Sequence, residues 1–128
     1  MSKLCKDMLK IYRPYSGLDW MNYRINNSKD LTFHHIIKKE DGGIASIDNG
    51  ALLVTDAHQY LHIIECIDYN RYIVLNRLFD AINKQLMEPN ASQREMIEYL
   101  LGEFEYIHKK DRNSKGRTLI KREYLKRY

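Results

Sequence analysis

Four of the five histidines in the chain lie between positions 34 and 62. His58 and His62 are four residues apart, so on a helix their rings share a face and reach one ion. His34 and His35 are neighbours in the short, apolar, partly β-branched run Leu31–Ile37. Three imidazoles with open positions beside them suit a divalent transition metal. A fourth imidazole near that metal but outside its shell is a candidate base, since an unperturbed pKa of about 6.5 leaves much of it neutral at pH 7. A metal to stabilise charge on a phosphate and a neutral imidazole to take a proton from water are the equipment for phosphodiester attack. Singly, each piece is ordinary: a His pair at i, i+4 often lies on a solvated helix face, and a His-His dipeptide often packs one ring and exposes the other. Their order and spacing together point to chemistry.

The elements around them must bring the two pairs together. Leu31–Ile37 predicts a strand, Gly42-Gly43 a break, Asp48-Asn49-Gly50 a turn and Ala51–Val54 a second short strand. Thr55 or Asp56 is a good N-cap for a helix running through about Ile67. A strand–loop–strand–helix unit of this kind can fold back so that His34 and His35 meet His58 and His62. His34 and His35 point to opposite faces of an ideal strand, so the strand is expected to bend or end near Ile36.

Helices are expected on both sides. Leu4, Met8, Ile11 and Tyr12 predict a helix from about Lys3 to Arg13, stopped by Pro14, and a short helix is expected from Asp19 carrying Trp20, Tyr23 and Ile25. Tyr72, Leu75, Phe79, Ile82 and Leu86 keep one apolar face until Pro89. Ser92-Gln93-Arg94-Glu95 reads as a capping box before Met96, Ile97, Leu100, Leu101, Phe104 and Ile107. Two such helices on a short Pro-containing link form an antiparallel hairpin over about 68–108. The expected class is α+β and mostly helical, with a small ββα unit at about 31–66 embedded among flanking helices in one domain, 1–108, followed by a basic tail, 109–128.

The chain has 128 residues, 44% of them hydrophobic and 30% charged, which fits one soluble core and excludes general disorder or a membrane bundle. No uncharged run approaches the roughly 20 residues of a bilayer span, and charges interrupt the opening Met1–Asp7 where a signal peptide would be apolar. Cys5 and Cys66 are far apart and off metal spacing, which excludes a disulfide scaffold and suggests an intracellular, cytoplasmic setting; both are expected as buried small hydrophobes. The net charge of +4 is uneven. Nine basic residues in 109–128, among them Lys109, Lys110, Arg112, Lys115, Arg117, Lys121 and Arg122, face only Asp111 and Glu123, so the tail is +7 and the rest −3. A basic arm suits a polyanion such as nucleic acid, although Ile120, Tyr124 and Tyr128 at four-residue intervals also fit a docked helix. Tyr12, Tyr15, Trp20 and Tyr23 could stack on bases, but packing is the commoner use of such aromatics.

The run Leu31-Thr32-Phe33-His34-His35-Ile36-Ile37, then Gly42-Gly43, then Asn49-Gly50-Ala51-Leu52-Leu53, then His58 and His62, resembles the HNH endonuclease motif, the ββα-metal or His-Me finger. The His-His opening and closing His-x-x-x-His are similar to the version in colicin-type nucleases. The match covers about positions 31 to 64, a quarter of the chain. The resemblance implies that His34, His58 and His62 bind one divalent metal and that His35 is the general base. It implies that Asn49 holds the loop and orients His35 through a backbone contact. The family hydrolyses nucleic-acid phosphodiesters, mainly of DNA, leaving a 5′-phosphate and a 3′-hydroxyl. Lys38 and Lys39, beside the base, are candidate phosphate contacts.

The chain departs from the family in three places. Many members carry Asp where His34 stands, and many carry Pro where Lys38 follows Ile37. Many relatives also hold a structural zinc in two Cys-x-x-Cys pairs, for which this chain has no cysteines, so helices must brace the finger. Of the candidate ions, magnesium, manganese, nickel and zinc, a third imidazole favours the last three over oxygen-seeking magnesium. The expected function is therefore a metal-dependent endonuclease acting on DNA, or on RNA, with no membrane partner. A homodimer or a protein partner could supply specificity. The alternative is a catalytically silent nucleic-acid-binding protein on the same scaffold, or a small phage-type inhibitor of another nucleic-acid enzyme; the complete set His34, His35, Asn49, His58 and His62 favours activity.

Overall fold

Ser2 starts the first helix by accepting the Cys5 N–H on its hydroxyl at 3.1 Å, an N-cap bond that satisfies one of the donors a helix start leaves free. Helix α1 (Lys3–Tyr12) ends where Arg13 turns left-handed, at φ 41°, just before Pro14. The structure, a computed structural model, describes residues 1–108. The basic segment 109–128, with Lys109, Lys110, Arg112, Lys115, Arg117, Lys121 and Arg122, lies outside the described residues.

The segment after α1 corrects a sequence expectation. No helix forms at Asp19. Its carboxylate instead gathers the backbone around itself, with Oδ1 accepting from Met21 (2.8 Å) and Tyr23 (2.9 Å) and Oδ2 from Val54 (2.9 Å). A buried carboxylate supplied with N–H groups outcompetes one turn of helix, because a short helix has its own donors unsatisfied. Arg94 closes the loop from outside, donating to the Asp19 carbonyl at 3.0 Å and to Glu88 at 2.8 Å. Tyr12, Trp20 and Tyr23 are thereby buried, and only Tyr15 of the four aromatics is open, at 83% exposure.

A two-stranded antiparallel sheet follows, β1 (Leu31–His35) and β2 (Gly50–Val54), in the register Leu31↔Val54 to His35↔Gly50. The loop between them, 36–49, holds two short 3₁₀ turns. Strand β1 ends at His35, within the run Leu31–Ile37 and next to the break expected near Ile36, because the Ile36 and Ile37 backbones bond to Asn49 outside the ladder. Phe33 and Met8 close over Gly50 so tightly that a side chain there would have no room, which seats α1 on one face of the sheet.

The other face meets α2 (Thr55–Ile67) and α3 (Tyr69–Gln85). The expected side-chain cap of α2 is absent: Val54 holds the cap position, and the Thr55 hydroxyl donates to Asp30 Oδ1 at 2.7 Å. Asp68 caps α3 by accepting the Arg71 N–H. The reciprocal capping box of α4 (Ala91–His108) sits two residues earlier than expected, between Asn90 and Gln93, each accepting the other's N–H at 2.9 Å. Gln85 at the end of α3 and Gln93 at the start of α4 exchange amide bonds (2.9 and 3.0 Å), while Arg71 near the start of α3 reaches the Leu100 carbonyl and Glu103. The two helices therefore run antiparallel. The described residues form an α+β, mostly helical fold of four helices around one small sheet. None of those helices is long and apolar enough to cross a membrane. Cys5 is buried as expected; Cys66 is exposed, because the end of α2 turns that position to solvent.

Candidate metal centre

The end of β1 determines where its two histidines go. His34, opposite Ala51, faces α2 and α3 and is 2% exposed. Its ring centroid lies 5.3 Å from that of His58 and 6.1 Å from that of His62, and the latter two are 4.9 Å apart. One ligand-capable nitrogen from each of His34, His58 and His62 lies within 4.8 Å of the others, close enough for the three to hold a metal ion. His35 takes the Phe33 side of the strand, edge-on to that ring at 4.9 Å. Because the chain leaves the sheet at Ile36, both histidines still line one cleft of about 360 Å³, with His58, His62, Lys38 and Glu65.

Hydrogen bonds set the tautomer of all three clustered rings. The Thr32 hydroxyl donates to the Leu53 carbonyl at 2.7 Å, so its oxygen, 2.9 Å from His58 Nδ1, must accept the Nδ1–H. His62 Nδ1 lies 3.0 Å from the Glu65 carboxylate, which only accepts. His34 Nε2 lies 2.8 Å from the amide oxygen of Asn76, another acceptor. Each ring therefore carries its proton on the bonded nitrogen, leaving Nδ1 of His34 and Nε2 of His58 and His62 with bare lone pairs. Outer acceptors that fix ring and tautomer in this way are what metal-binding imidazoles require.

Two of the rings, His34 and His58, are also kept uncharged by burial. Burial pushes His34 down to about 4, against the opposing pull of the Asn76 bond and with the neighbouring His58, His62 and His35 adding to the drop. Burial first, then His62 and His35, brings His58 to about 4 as well. A cluster of cations would repel a metal; neutral imidazoles present lone pairs to it.

Among the described residues, His35 Nε2 is buried without a hydrogen-bond partner. Asn49 braces the turn that follows. Its backbone carbonyl accepts the Ile36 N–H at 2.9 Å, its Oδ1 accepts the Ile37 N–H at 2.7 Å, and its Nδ2 donates to the Ile37 (2.9 Å) and Ile44 (3.1 Å) carbonyls. These contacts fall on Ile36, Ile37 and Ile44, not on His35 itself. Gly43 is needed beside them, since a Cβ there would run into the Ile37 carbonyl and stand 2.9 Å from Asn49 Nδ2.

Of the two candidate phosphate contacts, Lys39 is exposed, whereas the Lys38 ammonium pairs with Glu65 and sits 5.6 Å from the Tyr72 ring centre. Glu65 thus serves both Lys38 and His62, and the pairing holds its carboxyl below the usual range although burial opposes this. Thr32, Glu65 and Asn76 escaped sequence reasoning. Glu65 had a visible signal, three residues from His62 on the same helix. Asn76 and Asn83 had another, as amides on the buried face of α3. Asn83 donates to the Ile47 and Gly50 carbonyls, both at 2.7 Å, and so ties α3 to the loop and to β2. Compared with protein-family models, curated proteins and solved structures, the chain matches none.

Proposed function

We propose that this chain is a metal-dependent endonuclease that hydrolyses phosphodiester bonds of DNA, with His34, His58 and His62 as ligands of one divalent ion and His35 as the base. The observation that carries the reading is the division of labour among four rings. Three have one nitrogen bonded to an outer acceptor, and the three rings lie close enough to hold one ion. The fourth, His35, shares their cleft and has a buried nitrogen with no partner among the described residues.

The donor set fits a metal. Three imidazoles favour zinc, nickel or manganese over magnesium, which prefers oxygen ligands. When bound, the ion supplies positive charge to the phosphate and the departing oxygen. His35 Nε2 accepts a proton from water as the water oxygen bonds to phosphorus and the bond to the 3′-oxygen breaks. Asn49 holds the backbone after His35 so that this ring keeps its place, and Lys39 is free to meet a phosphate. Resemblance to the HNH motif over positions 31 to 64 supports the same assignment.

A plasmid-nicking assay with magnesium, manganese, nickel and zinc, each with and without chelator, tests the reading. His35→Ala is expected to reduce cleavage by a factor of 10² or more, the usual scale for a general base, while the metal still binds. His58→Ala is expected to weaken metal binding. Full cleavage by His35→Ala would remove the base. Metal and DNA binding without nicking under any condition would instead identify a silent binding protein.

A further inference from the structure

A second cleft, of about 530 Å³, opens beside the histidine cleft and shares Lys38 and Tyr72 with it. Its size is that of a small-ligand site. Ile36, Ile37 and Ile73 give it apolar surface, and Tyr69 and Arg77 on α3 add an aromatic ring and a cation. Tyr69 is 55% exposed and stacks on Tyr72, with ring centres 5.9 Å apart and planes 27° from parallel, so one tyrosine face is backed and the other is available. Arg77 is exposed and makes no ion pair among the described residues. Asp80, the nearby acid on the same helix, is already matched by Lys84 at 2.7 Å. Asn76 belongs to this cleft and also bonds His34, so one side chain borders both sites.

Building on the endonuclease reading, we infer that this cleft seats the nucleotide next to the bond being cut, with Arg77 on the flanking phosphate and an unpaired base stacked on Tyr69. Continuity with the histidine cleft supplies the place, and the free guanidinium and backed aromatic face supply the chemistry. A base can lie flat on Tyr69 only when it is out of a duplex stack, so the favoured substrate is a single strand, a flap or a locally opened duplex. Every base has a π-face, so the contact selects strandedness and not sequence.

The test is fluorescence anisotropy of a labelled single-stranded oligonucleotide and of its duplex, using the full-length zinc-loaded chain with His35→Ala so that the strand stays whole. Single strand is expected to bind at least tenfold tighter than duplex. Tyr69→Ala should lose about tenfold of single-strand affinity, in line with one base–aromatic stack, and Tyr69→Trp should recover it. Arg77→Ala should weaken binding and flatten the plot of log affinity against log salt by about 0.7, the contribution of one phosphate on a single strand. A single abasic residue walked along the oligonucleotide should weaken binding at one position, and that weakening should vanish in Tyr69→Ala. Equal affinity for both strand forms, or single-strand affinity untouched by Tyr69→Ala and Arg77→Ala, would overturn the inference. Because this readout needs no turnover, a chain that binds as described but never cuts would defeat only the endonuclease reading. A chain that cuts with unchanged KM in both variants would defeat only this one.

Discussion

The Nδ1–H of His62 points at the Glu65 carboxylate 3.0 Å away, and the same carboxylate holds the Lys38 ammonium. An exposed imidazole on a helix would otherwise rotate freely and interchange its tautomers. Glu65 ends that freedom and leaves the Nε2 lone pair open to a ligand role. Glu65→Ala is therefore expected to lower zinc affinity about tenfold or more, the range seen for outer partners of metal-bound histidines. Titration calorimetry against a competing chelator measures it, and circular dichroism should show the helices intact. Unchanged affinity would mean that His62 is not a ligand.

Acid should loosen the metal-free protein through His34 and His58. In an unfolded chain both titrate near 6.5, whereas in the fold burial brings each to about 4. Between those values the unfolded chain binds protons that the fold refuses, so this pair's contribution to stability falls as pH drops below about 6.5. The loss is complete below about 4, and the pair adds no slope above 6.5. Histidine-selective NMR of metal-free protein should give two ring titrations with midpoints near 4. Midpoints near 6.5 for both would contradict the burial on which the neutral cluster depends.

Gly43→Ala should disturb the loop more than its size suggests, because the added carbon meets backbone at Ile37 and the Asn49 amide. Asn49→Ala removes the same brace directly, losing its side-chain bonds to Ile37 and Ile44. Both are expected to reduce cleavage at least tenfold while leaving zinc affinity within a few-fold of normal, since neither residue touches the three clustered rings. A parallel collapse of metal binding would show that the loop positions the cluster as well as His35.

Asp19 anchors the loop that follows α1. Asp19→Ala strips acceptors from three N–H groups and should cost about 3 kcal/mol or more, at 1–3 kcal/mol for each buried group left unpaired. Burial lifts this carboxyl to about 7 in the fold, although its backbone bonds and Arg94 pull it down. An unfolded Asp titrates near 3.9, so wild-type stability gains a downward slope as pH rises from about 4 to about 7. Asp19→Asn cannot titrate and should lack that slope, so its deficit should shrink across the window. Urea unfolding of both proteins at pH 4 and pH 7 checks the sign.

Periodicity made the large elements legible because burial depends on it. Tyr72, Leu75, Phe79 and Ile82 mark a face that α3 does bury, and the short, apolar, partly β-branched run from Leu31 marks β1. The three-histidine cluster was legible for the same reason: i, i+4 spacing on a helix and a strand folded back from it restrict where the rings can meet. What stayed hidden depends on partners distant in sequence. Thr32 meets His58 across 26 residues and Asn76 meets His34 across 42, distances at which spacing carries no information. The helix expected at Asp19 failed likewise, because the Val54 N–H that helps hold the loop lies 35 residues away. The capping box was displaced because Ser92 and Asn90 are both good caps, and residue type alone does not choose between them.

Asn76 is contributed by a helix that lies outside the strand–loop–strand–helix segment bearing all four rings. Grafting residues 31–66 onto another scaffold would leave behind the amide that aims one of the three imidazoles. Asn83, which pins the loop and the second strand, would be lost with it. The smallest portable module therefore extends to Gln85, and a designer seeking to re-aim the three clustered imidazoles without touching His35 would begin on the buried face of α3.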